Sequence, residues 1–312
     1  MKIVFMGTPQ FAVRSLQALL EHGIAVQAVV TVPDKPAGRG LHLHPSEAKK
    51  FALEQGLPVL QPEVLTDPDF QQALQQHHAD LFVVVAFRIL PKSLLAIPRL
   101  GAINVHASLL PKYRGAAPIQ CAIIRGERET GVTTFLIDEK IDTGRILLQE
   151  KIEIGENESA GELHDRLAEL GAQVLIRTLT GVMKGELTPH EQHGEVTLAP
   201  KITKEMAEID WNLPATRLRD LIRGLDPHPG AHTHWNGKLL KIWKGHVHDS
   251  ENSTAAPGQV IHVDGRSGEL WVGTGQGLLA IDEVQLQGKR RMTTAEFLPG
   301  HAMSENETLR HA

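Results

Sequence analysis

Leu81-Phe82-Val83-Val84-Val85 is a run of five apolar residues with no polar alternation. A strand of that kind buries both faces, so it belongs inside a parallel sheet covered by helices on either side. Lys2–Met6 reads as another short β run. After it, Phe11, Val13, Leu16, Leu19 and Leu20 give the chain an inward helical face, and Gly23 ends the helix. Thr8 is expected to cap this helix, with Pro9 at its first position. Ala25–Thr31 then returns as a strand. Strand, helix and strand in this order predict an α/β domain with a Rossmann-like, mostly parallel sheet. Gly7-Thr8-Pro9 is not the Gly-x-Gly-x-x-Gly that brings backbone against a pyrophosphate, which argues against a nicotinamide cofactor.

The pattern continues with helices over Glu47–Gln55 and Asp67–His77 and a short strand at Pro58–Leu60. A helix follows over Pro118–Arg125, then strands over Gly131–Ile137 and Ile146–Ile154. Ser159-x-x-Glu162 is a capping box that opens a long helix. Gly185–Pro200 is polar and broken by Gly and Pro, as a linker is. Beyond it five short β runs (Ala231–Trp235, Leu239–His246, Gly258–Val263, Leu270–Thr274 and Gly277–Leu286) are separated by turns such as Asn236-Gly237 and Asp264-Gly265. They predict a small OB-like β-barrel. The expected division is a catalytic domain over 1–184, a linker over 185–204 and an OB-like domain over 205–312, its tail from His301 frayed.

Composition excludes several classes. No apolar run is long enough to span a bilayer, and the N-terminus lacks the apolar region of a signal peptide. One cysteine, Cys121, rules out an internal disulfide, fits a reducing cytosol and reads as a packed small residue. The seventeen histidines have no cysteine partners and no His-Glu-x-x-His spacing, so no metal is expected. A net charge of −5 argues against a general nucleic-acid coat, although local patches can still hold RNA. Cytoplasmic location, a monomeric state and no membrane partner are expected.

Gly101–Gly115 carries the chemistry. Ala102–Val105 ends a buried strand, and Asn104 and His106, two apart, leave the same face of an extended chain. An amide beside an imidazole can grip one oxygen and handle one proton. Taken alone, Asn104 is as well read as a turn cap and His106 as a satisfied core histidine. Asp142-Thr143-Gly144 is a turn sequence, in which Asp142 by itself needs no further role. Pro33–Pro45, with three prolines and no period, is a long loop after a strand's carboxyl end, where α/β sheets place their sites.

Asn-Val-His-x-Ser-Leu-Leu-Pro-x-x-Arg-Gly-x-x-Pro, from Asn104, resembles the signature of the 10-formyltetrahydrofolate-dependent formyltransferases. Gly7-Thr-Pro-x-Phe-Ala12 is similar to that family's opening and Asp142-Thr-Gly144 to its third catalytic position. The resemblance covers nearly the whole chain. It implies Asn104, His106 and Asp142 as catalytic residues and Ser108, Leu109, Leu110 and Pro111 as the border of a folate. Pro-Asp-Lys-Pro-Ala-Gly-Arg-Gly, Pro33–Gly40, resembles the loop by which members acting on initiator Met-tRNA grip the acceptor stem, which implies Lys35 and Arg39 as RNA contacts. Asp226-Pro-x-Pro-Gly230 and Lys238–Trp243 are similar to the C-terminal domain of those members. Residues 201–312 hold 13 Lys/Arg against 14 Asp/Glu, so any phosphate-binding patch there is local. Lys238, Lys241, Lys289, Arg290 and Arg291 are the candidates, against an equal reading as a solvated face. Phe87-Arg88 stands where the family more usually has a Tyr-Gly pair, in a loop that lines the folate pocket of relatives.

The chemistry implied is direct. An amine attacks the formyl carbon, and donors from Asn104 and His106 meet the oxyanion while Asp142 orients the ring or takes the proton. Two alternatives share the triad: a formyltransferase acting on an amino-sugar nucleotide, and a formyl-folate hydrolase. A non-catalytic RNA-binding protein on an α/β scaffold is the alternative of another class.

Overall fold

The apolar run at Leu81 lies in the middle of a seven-stranded sheet, every residue of it buried. The computed structural model describes residues 1–37, 42–248 and 255–310. In chain order the elements are β1 (Lys2–Gly7), α1 (Gln10–Glu21), β2 (Ala25–Val30), β3 (Lys35–Ala37), β4 (His42–His44), α2 (Glu47–Glu54), β5 (Val59–Leu60), α3 (Pro68–Gln75), β6 (Leu81–Val85), α4 (Lys92–Leu95), β7 (Ala102–His106), β8 (Arg114–Gly115), α5 (Pro118–Ile124), β9 (Glu129–Leu136), β10 (Ile146–Glu153), α6 (Ala160–Lys184) and β11 (Leu198–Ala199). There follow α7 (Ala215–Gly224), β12 (Ala231–Trp235), β13 (Lys238–His248), β14 (Val260–Asp264), β15 (Glu269–Gly273), β16 (Leu278–Leu286), β17 (Met292–Thr293) and α8 (Thr294–Phe297). By contacts the chain divides into two units. One holds Met1–Pro118, Glu129–Ile152 and His164–Ala199; the other holds Ile119–Arg128, Glu153–Leu163 and Pro200–Ala312.

In the first unit the strand order is β10-β9-β7-β6-β1-β2-β5. β1, β2, β5, β6 and β7 run parallel, and β9 runs antiparallel to β7. The sheet is therefore mostly parallel and Rossmann-like, as expected. Val4, Met6, Phe82 and Val84 pack on one of its faces with Phe70, Leu74 and Leu94. β6 and β7 thus end side by side, at the edge where such sheets carry their sites.

Three local readings need correction. Thr8 does not cap α1: the cap position is Pro9, the helix starts at Gln10, and the Thr8 hydroxyl is buried without a partner. Thr8 is one residue too early to reach the first free N–H groups. The loop from Pro33 is not irregular throughout, since β3 and β4 form an antiparallel ribbon with Lys35 opposite His44. Three residues a side are too few to give an alternation signal. The linker also pairs, its β11 running parallel to β8 and His190 bridging to Ile146.

The second unit is an antiparallel sheet in the order β12-β13-β16-β15-β14, with β17 on β16. Asn236 and Gly237 join β12 to β13 with φ of +48° and +72°, the two left-handed positions a type I′ turn requires. The tail is not frayed through Arg310. Arg310 and His234 exchange backbone hydrogen bonds (2.9 and 3.1 Å), while Val260 N–H donates to Glu307 O and Leu309 N–H to Gly258 O, both at 2.8 Å. One segment thereby ties the two edge strands, an arrangement compatible with an OB-like barrel.

Candidate active site

β7 delivers Asn104 and His106 to the carboxyl end of the sheet. In register, Asn104 stands between Val84 of β6 and Phe135 of β9, and His106 opposite Thr133. Thr133 also holds the turn that follows. Its hydroxyl donates to Ser108 O (2.6 Å) and accepts from Leu110 N–H (3.1 Å). Gln149 Nε2 donates to Leu110 O at 2.9 Å. The Ser108 hydroxyl is itself used locally, donating to Lys112 O at 2.7 Å.

His106 is 7% exposed and its ring lies between two oxygens. Nε2–H donates to the Tyr113 carbonyl (2.9 Å), and Nδ1 faces Asp142 Oδ2 at 3.7 Å. A carbonyl can only accept, so Nε2 carries a hydrogen, and Nδ1 is the ring nitrogen that faces the carboxylate. The Asn104 amide, by contrast, makes no hydrogen bond among the described residues and is half-buried.

Asp142 is placed by backbone. Gly115 N–H donates to its Oδ2 at 2.8 Å. Its φ is +54°, a left-handed conformation that costs a non-glycine residue about 1 kcal/mol or more. Both glycines of the two motifs are sterically required. A Cβ on Gly115 would meet Ala199 O at 2.5 Å, and one on Gly144 would meet Leu136 O at 1.7 Å. Gln192 completes the frame: Nε2 donates to the carbonyls of Asp142 (2.9 Å) and Gly144 (2.8 Å), and Oε1 accepts from Arg114 Nη2 (2.6 Å).

Of the expected folate border, Ser108, Leu110 and Pro111 are buried, and Leu109 alone offers surface. Lys35 is exposed on β3, above a fixed foot. Hydrogen bonds from Lys49 (2.6 Å) and Gln61 (2.8 Å) hold Asp34 there and keep its carboxyl below the ordinary carboxylate range. Arg39 lies outside the described residues. Arg88 donates to the carbonyls of Pro62 (2.8 Å) and Glu63 (2.9 Å) and lies over the Phe87 ring, so it ties two loops at the end of the sheet. Cys121 is buried and free, and burial pushes its thiol up, away from nucleophile chemistry.

In the second unit the cationic candidates divide. Lys238 and Lys289 are exposed and make no ion pair among the described residues. Arg290 pairs with Glu296 at 2.8 Å. Lys241 donates to Pro229 O (2.6 Å) and sits over Trp243. Arg291 is bound by Asp226 (2.8 Å) and Glu283 (2.6 Å). Burial works against its charge, and those hydrogen bonds still hold it more firmly protonated than usual. Gln192, Thr197 and Tyr113 are site residues the sequence reading missed. The polar stretch around Gln192 carries no local period that would reveal them.

The formyl transferase family model matches residues 1–179, and the formyl transferase C-terminal domain matches residues 201–302. A methionyl-tRNA formyltransferase of Caldanaerobacter subterraneus subsp. tengcongensis is 50% identical over 99% of this chain and 100% of its own length. Another, from Alkaliphilus oremlandii, is 46% identical over 99% of each chain. Among solved structures, the sugar 3N-formyl transferase WlaRD is 20% identical with a TM-score of 0.68, covering 93% of this chain and 99% of that one. HypX from Aquifex aeolicus, in complex with tetrahydrofolic acid, is 17% identical with a TM-score of 0.65; this chain matches over its full length and spans 51% of HypX.

Proposed function

The chain belongs to the formyl transferase family, and from that premise we propose the route by which it moves a formyl group from 10-formyltetrahydrofolate to the α-amine of methionine on initiator Met-tRNA. The observation that carries the route is the His106 ring, held between the Tyr113 carbonyl and the Asp142 carboxylate beside an uncommitted Asn104 amide. The amine nitrogen attacks the formyl carbon, and Asn104 donates to the oxygen that becomes negative. His106 Nδ1 takes the proton leaving the amine. The imidazolium so formed faces acceptors on both sides, a carbonyl and a carboxylate. Collapse breaks the bond to folate N10, and the same proton moves to that nitrogen. No covalent enzyme intermediate is needed.

Leu109 borders the folate, with Ser108, Leu110 and Pro111 holding the turn beneath it. Lys35 on the ribbon, Arg39 of the same loop sequence, and Lys238 and Lys289 in the second unit contact phosphates. Lys241, Arg290 and Arg291, already paired, shape that surface instead. The working division is 1–184 for catalysis and 205–312 for RNA, joined by 185–204. A monomer in the cytoplasm, where charged initiator tRNA is made and used, fits this work.

The test is transfer of labelled formyl from 10-formyltetrahydrofolate, offered charged initiator tRNA, an amino-sugar nucleotide or water. The label is expected on the tRNA alone. Asn104→Ala should lower kcat by ~10²–10³ with little change in unfolding midpoint, because its amide has no partner to lose among the described residues. An Asn104→Ala enzyme with near-parent kcat would remove that residue from the mechanism.

A further inference from the structure

Two backbone groups in the active site sit in left-handed conformations, Tyr113 with φ +61° and Asp142 with φ +54°. They are the two partners of the His106 ring: one supplies the carbonyl for Nε2–H, the other the carboxylate facing Nδ1. The conformation is an outlier for a bulky residue such as Tyr113 and uncommon for any non-glycine residue, Asp142 included. Both are held from one stretch of the segment that leaves the first unit. Thr197 Oγ1 accepts from Tyr113 N–H, and Thr197 O accepts from Arg114 N–H, both at 2.9 Å. Gln192 Nε2 donates to the carbonyls on either side of Thr143.

The Gln192 amide orientation is fixed by what surrounds it. Guanidinium nitrogens only donate and backbone carbonyls only accept, so Oε1 must face Arg114 and Nε2 must face Asp142 and Gly144. An amide is the side chain that can do both. Glutamate would present oxygens to two carbonyls, and lysine would leave Arg114 facing a second cation. Asp142 is also the one carboxylate within ion-pair reach of the His106 ring among the described residues.

We infer that Gln192 is a positioning residue for catalysis, which sets the distance between Asp142 and His106, with Thr197 doing the same for the Tyr113 carbonyl. The segment after α6 is then part of the active site and not only a tether. This rests on the triad reading above. Gln192 touches neither substrate nor the reacting atoms, so its effect should fall on kcat and leave KM for the formyl donor nearly unchanged.

The experiment is steady-state formyl transfer to charged initiator tRNA by the full-length chain, with Gln192→Met, Gln192→Glu, Thr197→Val and Asp142→Asn compared for kcat, KM and unfolding midpoint. Gln192→Met keeps the volume and loses every hydrogen bond; Gln192→Glu keeps the Arg114 contact and loses donation to the Asp142 turn. Both should lower kcat at least about tenfold, with KM for the folate within about twofold. A parent-like kcat in both Gln192 variants, with Asp142→Asn inactive, would overturn the positioning role alone. Parent-like rates in Asp142→Asn as well would overturn the triad reading, and this inference with it. A lowered unfolding midpoint with an unchanged kcat per folded molecule would mean that Gln192 is only structural, and would also overturn the inference.

Discussion

The Cβ that Gly144 lacks would stand 1.7 Å from the Leu136 carbonyl oxygen and 3.1 Å from the Phe135 ring. β9 cannot move aside cheaply there, because Leu136 N–H is bonded to Arg145 O at 2.9 Å. Gly144→Ala is expected to cost about 2–4 kcal/mol in denaturant unfolding and to lower formyl transfer by displacing Asp142. Gly185 gives the comparison: its φ is +70°, with nothing within 4 Å of an added Cβ. Alanine there should cost about 1 kcal/mol, the backbone penalty alone, with unchanged kcat. Equal losses at both sites would show that the clash is relieved by some easier movement. The same contrast explains what could be read at this scale. Asn104, His106 and Asp142 stand out only through the family motifs they sit in, because each motif is contiguous in sequence; a period of two and a turn residue by themselves leave them open to a structural reading. Gln192 and Thr197 act on residues 50 and 84 positions away. In sequence they look like any polar residues between two domains.

At the scale of elements, α6 shows a cap that sequence gives directly. Ser159 N–H donates to Glu162 Oε2 (2.8 Å), and Glu162 N–H donates back to Ser159 Oγ at 3.3 Å. The first of these bonds, with one from the Ser159 hydroxyl, holds the Glu162 carboxyl below its ordinary value. A depressed carboxyl contributes stability that is present above the ordinary carboxylate range and is lost as pH falls through the folded value. Glu162→Gln should therefore be less stable than the parent at neutral pH, by a few tenths to about 1 kcal/mol after solvent screening. The gap should close on acidification below about pH 4. Unfolding midpoints of both proteins over that range measure it, and a gap that widens in acid would reverse the assignment. Elements with an unbroken apolar run, a strong period or a cap, such as β6, α1 and α6, are legible for this reason. The ribbon β3–β4 and the pair β8–β11 are not, since two or three residues that pair across the fold leave no pattern along the chain.

Over the whole molecule, the least legible feature is how the last residues end. A polar tail carrying Glu305, Asn306 and Glu307 reads as solvated, yet Leu309 is 1% exposed and belongs to the apolar core of the second unit with Trp211, Trp235 and Phe297. Trp235 Nε1–H donates to Glu307, adding a side-chain tie to the backbone bonds at His234, Gly258 and Val260. A sheet with β12 and β14 as open edges would expose rows of unpaired N–H and C=O groups; the tail covers part of both. Leu309→Ala should thus cost about 2–4 kcal/mol, from lost burial plus a cavity. Removing residues 307–312 should cost more, because the edge bonds go with it. The distinguishing measurement is hydrogen exchange read by peptide mass. Amides of β12 and β14 should exchange faster in both variants, while those of β1 and β6, in a unit with its own core, keep their protection. Faster exchange in β1 and β6 to the same degree would mean that the two cores unfold as one, and that the tail closes more than the sheet it touches.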